Sequence, residues 1–347
     1  MGPEKAAEFV AESDPRKLED FGGSQLASNG DLAKTAAPSQ KRWGANIDRA
    51  IIPSDVGIQT MALRQLADFF GFDASEWQGQ FAVGSPIAGD LSQKATSPAK
   101  TPKGSLLPRN RMFTSAEARF RERAPESGWR NAESLRKEAI EQQEKGMLTH
   151  PSLLSASGRP ADRQSGGFNI AFRFGVEQAD KLSACDDLKR SLTNQACRVR
   201  APIKLVSWGH VAQMCRKFAR GGRDWALFKA DHEAAYKQLP LGPKDQRYAI
   251  IALRHPKPGI WRGFRSRTLM FGSIAAVLHY NVFSRLIAAL FNRLFGIPLV
   301  CFFDDFVALT PRLLATKGLA VITRFFELLG IRLKPTKSEV GPAITFL

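Results

Sequence analysis

Two adjacent carboxylates, Asp304 and Asp305, stand between the apolar runs Ile297–Phe303 and Phe306–Leu309. A short apolar run, two charges and a second apolar run read as strand, turn, strand. Asp is a common turn residue because its side chain bonds its own backbone. Two like charges with no Gly beside them are nevertheless a costly way to build a turn. The flanking patterns are consistent with one another. Trp225–Ala230 (WALFKA) predicts a strand, with Asp231 directly after it. Ser273–Phe295 predicts a long helix stopped by Gly296 and Pro298, and Pro311–Leu329 a second helix with Gly330 after its end. Ile331–Leu333 and Ile344–Leu347 predict short strands. The order strand, helix, hairpin, helix, strand is the split βαβ plan: an α+β, ferredoxin-like antiparallel sheet with two helices on one face.

In such a sheet the first strand lies beside the hairpin, so Asp231, Asp304 and Asp305 project from one edge. Crowded carboxylates repel, and a divalent cation relieves them. Hard oxygen ligands suit Mg²⁺, which takes one or two protein carboxylates plus substrate phosphates. Two such ions roughly 4 Å apart activate an attacking hydroxyl and stabilise a leaving oxygen. The pattern points to nucleotidyl transfer. An ordinary hairpin turn at Asp304–Asp305 and a strand-end cap at Asp231 are the plain alternatives.

Charge narrows the partner. The 347 residues carry 50 Lys and Arg against 33 Asp and Glu, a net charge of +17 with a pI near 10. That excess favours a polyanion, nucleic acid before an anionic membrane surface. A hydrophobic fraction of 44% is enough to bury a sizeable core, which excludes a wholly disordered chain. Cys185, Cys197, Cys215 and Cys301 show no CxxC spacing, which argues against a zinc site or disulfide scaffold. The most apolar stretch, Leu294–Phe303, is too short to span a bilayer, and the N-terminus lacks the apolar core of a signal peptide. The expectation is an intracellular protein, nuclear or cytoplasmic, with no membrane partner.

Residues 1–50 read as a disordered tail, poor in large apolar side chains. Residues 51–165 read as a variable extension. It holds a helical period over Ile58–Phe70, a Pro-, Ser- and Lys-rich basic linker near 89–111, and a charged helix over Asn131–Lys145 that Asn131 can cap and Gly146 can stop. Residues 166–224 and 225–347 are richer in apolar runs separated by turn residues.

FKADHEAAYKQLPL, LMFGSIAAVLHYN, CFFDDFVAL and LLGIRLKPTKSEVGPAITFL resemble, in order and spacing, the successive palm motifs of retroelement reverse transcriptases. FRFGVEQADKLSACDDLKRSLTNQ resembles the fingers segment that precedes them, so the likeness runs over about Phe168–Leu347. It implies a fingers segment over 166–224 and a palm over 225–347, ending before a thumb. The implied activity is Mg²⁺-dependent RNA-directed DNA polymerisation with two ions, for which Mn²⁺ is a substitute. Primer–template and dNTPs are the implied partners.

Residue by residue, the resemblance makes Asp231 and Asp304 metal ligands and Asp305 the less directly coordinated partner. Tyr236 becomes the aromatic gate that rejects a 2′-hydroxyl, and Gly272 the close-approach glycine of the nucleotide site. Lys337 lies near the triphosphate as a proton donor, and Lys181 is the retained fingers cation. Ser183 stands where the family usually has a triphosphate-binding Arg, with Arg173 nearby as a source of charge, and Met270 replaces the usual Pro. Without the motifs, Tyr236 is a core-edge residue, Gly272 a helix-start glycine and Lys337 a solvated charge.

Arg254, Lys257, Arg262, Arg265 and Arg267 form a run without an acidic residue, interleaved with His255, Trp261 and Phe264. Cations bind phosphates and aromatic rings stack on unpaired bases, so the run reads as a nucleic-acid surface. Trp208 and Trp225 read as core, and His232 and His279 as packing or polar-network residues. The leading expectation is a polymerase fragment. The alternatives are a decayed nucleic-acid-binding remnant without catalysis, and an RNA-copying polymerase that Tyr236 disfavours.

Overall fold

The computed structural model describes residues 58, 60–72, 84–91, 106–123, 131–161, 167–178, 181–199, 208–220, 224–255, 257 and 259–345. The expected tail at 1–50 and most of the basic linker lie outside them. In chain order the elements are α1 (Thr60–Phe69), β1 (Gly89–Leu91), α2 (Arg109–Thr114), α3 (Ala116–Arg123) and α4 (Ala132–Glu144). Then come β2 (Ser152–Leu154), β3 (Ile170–Gln178), β4 (Lys181–Asp186), β5 (Cys197–Val199), α5 (Trp208–Ala219) and β6 (Trp225–Asp231). They are followed by β7 (Ile250–Arg254), β8 (Trp261–Arg265), α6 (Ile274–Phe295), β9 (Leu299–Phe302), β10 (Asp305–Pro311), α7 (Ala315–Leu328) and β11 (Glu339–Gly341).

The described residues are mixed α+β and form three sheets. The four-stranded sheet has the order β11-β6-β10-β9, every neighbour antiparallel. That is the strand order of a split βαβ unit, with α6 and α7 as its two helices. Phe228 and Ala230 of β6 are fully buried, and Gly318 of α7 sits so close that an added Cβ would come within 2.5 Å of the Phe228 ring. The two helices share one face of the sheet, because Phe291 and Phe295 of α6 meet Phe325 of α7 at 5.6 and 5.7 Å, while Phe306 of β10 meets Phe326 at 5.1 Å. Burial of each such ring contributes about 1.5–3 kcal/mol.

The five-stranded sheet has the order β2-β8-β7-β3-β4, with only β3 and β7 parallel. Phe120 of α3 closes one face of it over Phe172 and Trp261, rings 5.4–5.6 Å apart. α4 packs against β3 and β7 through a stripe that includes the buried Leu135 and Ala139. A short parallel pair, β1 with β5, completes the sheets. All four cysteines are free.

Two local expectations change. The strand that pairs Leu227–Lys229 is Glu339–Gly341 and not Ile331–Leu333, while the other run expected there, Ile344–Leu347, lies partly outside the described residues. Ile331 is consumed by packing at 2% exposure, and Leu333 makes an isolated bridge to His232. Asn131 does precede α4, but in the left-handed region (φ 63°) with no side-chain cap, its amide donating instead to Glu177 at 3.3 Å. Among the described helices α6 is long and apolar enough to cross a membrane, yet most of its apolar window is buried inside the protein.

Candidate active site

Phe302 and Asp305 form the last pair of the β9–β10 hairpin, so the loop is Phe303–Asp304. Asp305 already belongs to β10, one place away from the expected tip. Two-residue hairpin loops call for positive φ, which Gly, Asn or Asp adopt cheaply. Here Phe303 carries it, at φ 51°, a costly state for a bulky side chain and one that clusters at functional sites.

The displacement matters because β10 pairs β6 with Asp305 directly opposite Asp231. Opposed residues project from the same face, here the face away from Phe228, Ala230 and the two helices. Asp304 is tied to the same place through its carbonyl, which accepts the His232 N–H at 3.1 Å. The three carboxylates predicted to converge do share one end of the sheet.

Each strand-borne carboxylate has a lysine. Lys337, on the 3₁₀ turn Pro335–Lys337, donates to Asp231 Oδ2 at 2.8 Å. Lys229 lies 3.3 Å from Asp305 Oδ1 and donates to the Thr345 carbonyl at 2.9 Å. The Lys229 contact to Asp305 is an ion pair by distance only, and Asp305 Oδ1 is buried without a hydrogen-bond partner. Burial raises the Asp304 pKa and the Asp231 charge adds to it, against the pull of Lys337 and Lys229. Burial likewise raises Asp305, opposed by Lys229 and reinforced by Asp231. Negative charge is thus crowded beyond what two lysines neutralise. The donor set, all carboxylate oxygen with one buried oxygen orphaned, fits a hard divalent cation as to chemistry. Among the described residues, however, no three acidic, His or Cys side chains converge into a self-contained cage.

An aromatic wall stands behind the carboxylates. Tyr236 lies on the 3₁₀ turn Ala235–Gln238, entered through Ala234 at φ 51°. Its ring packs edge-on against Tyr280 at 5.3 Å and lies 6.0 Å from Phe271. Burial, then the Asp304 charge, pushes its phenol up to about 12. The Tyr280 hydroxyl bonds His232 Nδ1 at 2.7 Å, and burial pushes His232 down to about 3, so the imidazole is neutral at neutral pH. His232 is the polar-network residue expected, and His279 is another, its Nε2 at 3.0 Å from the Pro86 carbonyl.

Gly272 has φ 87°, which a side chain adopts only with strain, so more than an ordinary helix start holds it there. Asn194 clamps that turn from another part of the chain, its Nδ2 donating to the Gly272 carbonyl at 2.9 Å and its Oδ1 accepting the Ile274 N–H at 3.1 Å. Lys181 and Ser183 lie on β4, opposite Gln178 and Val176.

Arg173 does not supply charge to a substrate. Its side chain is 1% exposed, and its guanidinium donates to both Asp186 oxygens, at 2.7 and 3.0 Å, and to Gln142 at 3.1 Å. A guanidinium is tolerated in a dry interior only with its donors matched in this way.

The basic run divides. Trp261 (8% exposed) and Phe264 (2%) are core residues, so neither is available to stack on a base, contrary to the sequence reading. They lie on opposite faces of β8, each buried, while Arg262 and Arg265 are half-buried and Lys257 is exposed. Arg254 stacks over Trp261 at 5.9 Å. Arg267 is held by its backbone to Met147 and Leu241.

No protein-family model matches the chain, and no curated protein matches it. Among solved structures it is similar to the foamy viral protease–reverse transcriptase in complex with double-stranded DNA, at 15% identity and a TM-score of 0.41 over 63% of this chain and 33% of that one. The chain spans about a third of that protein's length.

Sequence reasoning missed Lys229 and Asn194. Lys229 left a usable signal, a charge two residues before Asp231 on the same face of a strand, where a neighbouring carboxylate is the natural partner. Asn194 left none, because its partners at Gly272 and Ile274 are remote in the chain.

Proposed function

We propose that the chain carries the catalytic part of a retroelement-type reverse transcriptase, adding deoxynucleotides to a primer 3′-hydroxyl with Mg²⁺. In this reading 225–347 is the palm, 166–224 belongs to the fingers and 51–165 is a variable N-terminal extension. The observation that supports it most is the β6–β10 register, which sets Asp231 against the Asp304–Asp305 pair at one end of a split βαβ sheet.

Asp231 and Asp304 would hold the ions, with triphosphate oxygens and water completing a shell that the protein does not close alone. Bound there, the ions supply an activated primer hydroxyl and charge neutralisation at the triphosphate. The residues do the positioning. Asp305, held by Lys229, fixes the hairpin against β6. Lys337, whose side chain is half exposed, would give up its bond to Asp231 when an ion is bound there and would supply a proton to the departing pyrophosphate. Tyr236, stiffened by Tyr280 and Phe271, stands where a ribose 2′-hydroxyl would clash. Gly272 lets backbone approach the base pair.

A second reading, a nucleic-acid-binding remnant without catalysis, is favoured by one observation: lysines already pair with both Asp231 and Asp305. Primer extension on an RNA template with Mg²⁺ or Mn²⁺, with dNTPs and NTPs in parallel, separates the two. Extension with dNTPs that Asp304→Asn abolishes is expected. Retained primer–template binding with no extension by the unaltered chain would establish the remnant. A preference for NTPs would overturn the role given to Tyr236.

A further inference from the structure

β6 ends on Asp231, which faces the carboxylate cluster, so the next side chain, His232, turns to the face that the helices cover. There its ring is 1% exposed, 4.5 Å from Phe306 of β10 and 4.7 Å from Phe326 of α7. A leucine would fill such a cage without desolvating a polar ring. The histidine makes one directed contact instead: its Nδ1 lies 2.7 Å from the hydroxyl of Tyr280 on α6, itself fully buried. Its Nε2 is buried without a hydrogen-bond partner among the described residues, so the Tyr280 bond is all that compensates the imidazole. Tyr280 stands directly behind the site. Burial, with the Asp304 charge after it, raises its pKa, and its ring meets Tyr236 edge-on at 5.3 Å. The His232 N–H donates to the Asp304 carbonyl at 3.1 Å. One residue therefore holds the hairpin that carries Asp304 and, through Tyr280, the ring of Tyr236.

We propose that His232 and Tyr280 form a positioning pair that fixes the Tyr236 ring relative to the carboxylates, and that their bond sets how strictly the site separates deoxyribonucleotides from ribonucleotides. Neither residue touches a nucleotide; both act through Tyr236. Apolar packing lets a ring slide and tilt, whereas a hydrogen bond at its far end fixes a direction. That is a use for a buried polar pair where apolar side chains would pack at less cost. The inference rests on the polymerase reading for its substrates, and on the packing alone for the coupling of His232 to Tyr236. A pair that only held the core would behave differently. Its loss would cost stability and leave the ratio between the two substrates where it was.

The test takes the full chain with primer–template, Mg²⁺ and either a dNTP or the matching NTP, and reads kcat and KM for each. Tyr280→Phe keeps the ring and removes the hydroxyl. It is expected to lower the dNTP-to-NTP ratio of kcat/KM roughly tenfold, the scale for a small displacement at a reacting site. The change should come from better use of the NTP, with kcat/KM for the dNTP altered less than about threefold. His232→Leu should do the same, while His232→Asn, which offers a polar atom where Nδ1 sits, should keep most of the ratio. His232→Leu with Tyr280→Phe leaves no orphaned polar group, so its urea midpoint should return toward that of the unaltered chain while the ratio stays lowered. A ratio that recovers with the midpoint, or that never falls, would overturn the pair's role. The coupling is also read without catalysis. The chain has three tyrosines, Tyr236, Tyr248 and Tyr280, so fluorotyrosine incorporation gives three fluorine NMR lines that single Tyr→Phe changes assign. His232→Leu is expected to shift or broaden the Tyr236 line and to leave in place that of Tyr248, which stacks on Phe113 at 5.0 Å. An unmoved Tyr236 line would overturn the inference even where the polymerase reading stands. A moved line in a chain that extends no primer would overturn the polymerase reading and uphold the coupling.

Discussion

The two large sheets handle charge in opposite ways. In the five-stranded sheet one buried pair is closed: Arg173 meets both oxygens of Asp186 and also Gln142. In the four-stranded sheet three carboxylates share two lysines, and burial raises the pKa of both Asp304 and Asp305. A pair closed in all its hydrogen bonds holds a fold together; a deficit of countercharge stores an affinity for something else. The comparison assigns stability to one cluster and chemistry to the other, and substitutions can separate them.

The largest effect falls on the open cluster. Asp304→Asn keeps shape and removes one ligand charge, and is expected to cut primer extension by roughly a thousandfold, about 4 kcal/mol at 1.36 kcal/mol per decade. Urea denaturation should show the variant at least as stable as the parent. The closed cluster should answer the other way. Arg173→Met leaves Asp186 buried and unpaired, and is expected to cost about 3 kcal/mol in urea denaturation, the lower end for a broken buried pair. Arg173→Met with Asp186→Leu should recover most of it. A stable single variant with a raised KM for dNTP would return Arg173 to the substrate side and undo the comparison.

This contrast was only half legible in the sequence. The α6 and α7 patterns, the strand WALFKA and the DD hairpin are local signals, with a helical or alternating period and end-marking Gly or Pro, and the structure has all of them within a few residues. The convergence of Asp231 with Asp304 and Asp305 followed from the order of elements alone. What failed depended on register. The fourth strand pairs through backbone at Glu339–Gly341, a segment with no apolar alternation, while the apolar Ile331 is spent on packing. Arg173 read as an available cation because only the β3–β4 register sets it opposite Asp186. Trp261 and Phe264 read as stacking rings among arginines, although both faces of the sheet are covered and each ring is buried on its own side, Trp261 beside Phe120 and Phe264 beside Ile251.

Lys229 tests whether the open cluster is also partly structural. It is 7% exposed and joins Asp305 to the Thr345 carbonyl. Lys229→Met is expected to destabilise by about 2 kcal/mol, less than a fully closed buried pair, because Asp305, already pushed upward, can take up a proton instead. Lys229→Met with Asp305→Asn should restore stability, since no charge is then left unpaired. If the double variant is no more stable than the single one, Lys229 serves the chain segment at Thr345 and leaves Asp305 unattended.

The smallest effect is the pH dependence, and its sign differs from that of a salt-bridged carboxylate. Asp304 and Asp305 have folded-state values above the ordinary 3.8. A group raised on folding adds stability that is full below its unfolded value and is lost as pH rises through the folded one. Without divalent metal, the urea midpoint should therefore include a component that falls as pH climbs above the ordinary carboxylate range. Asp304→Asn, permanently neutral, should flatten that fall and gain roughly 1 kcal/mol at pH 7, as expected where a functional site holds unrelieved charge. Added Mg²⁺ should narrow the gap between variant and parent, because it neutralises in the parent what the amide removes in the variant. A steeper curve in Asp304→Asn, or a gap that Mg²⁺ leaves unchanged, would mean that the crowding is already balanced by Lys229 and Lys337. The two sheets would then differ in geometry alone.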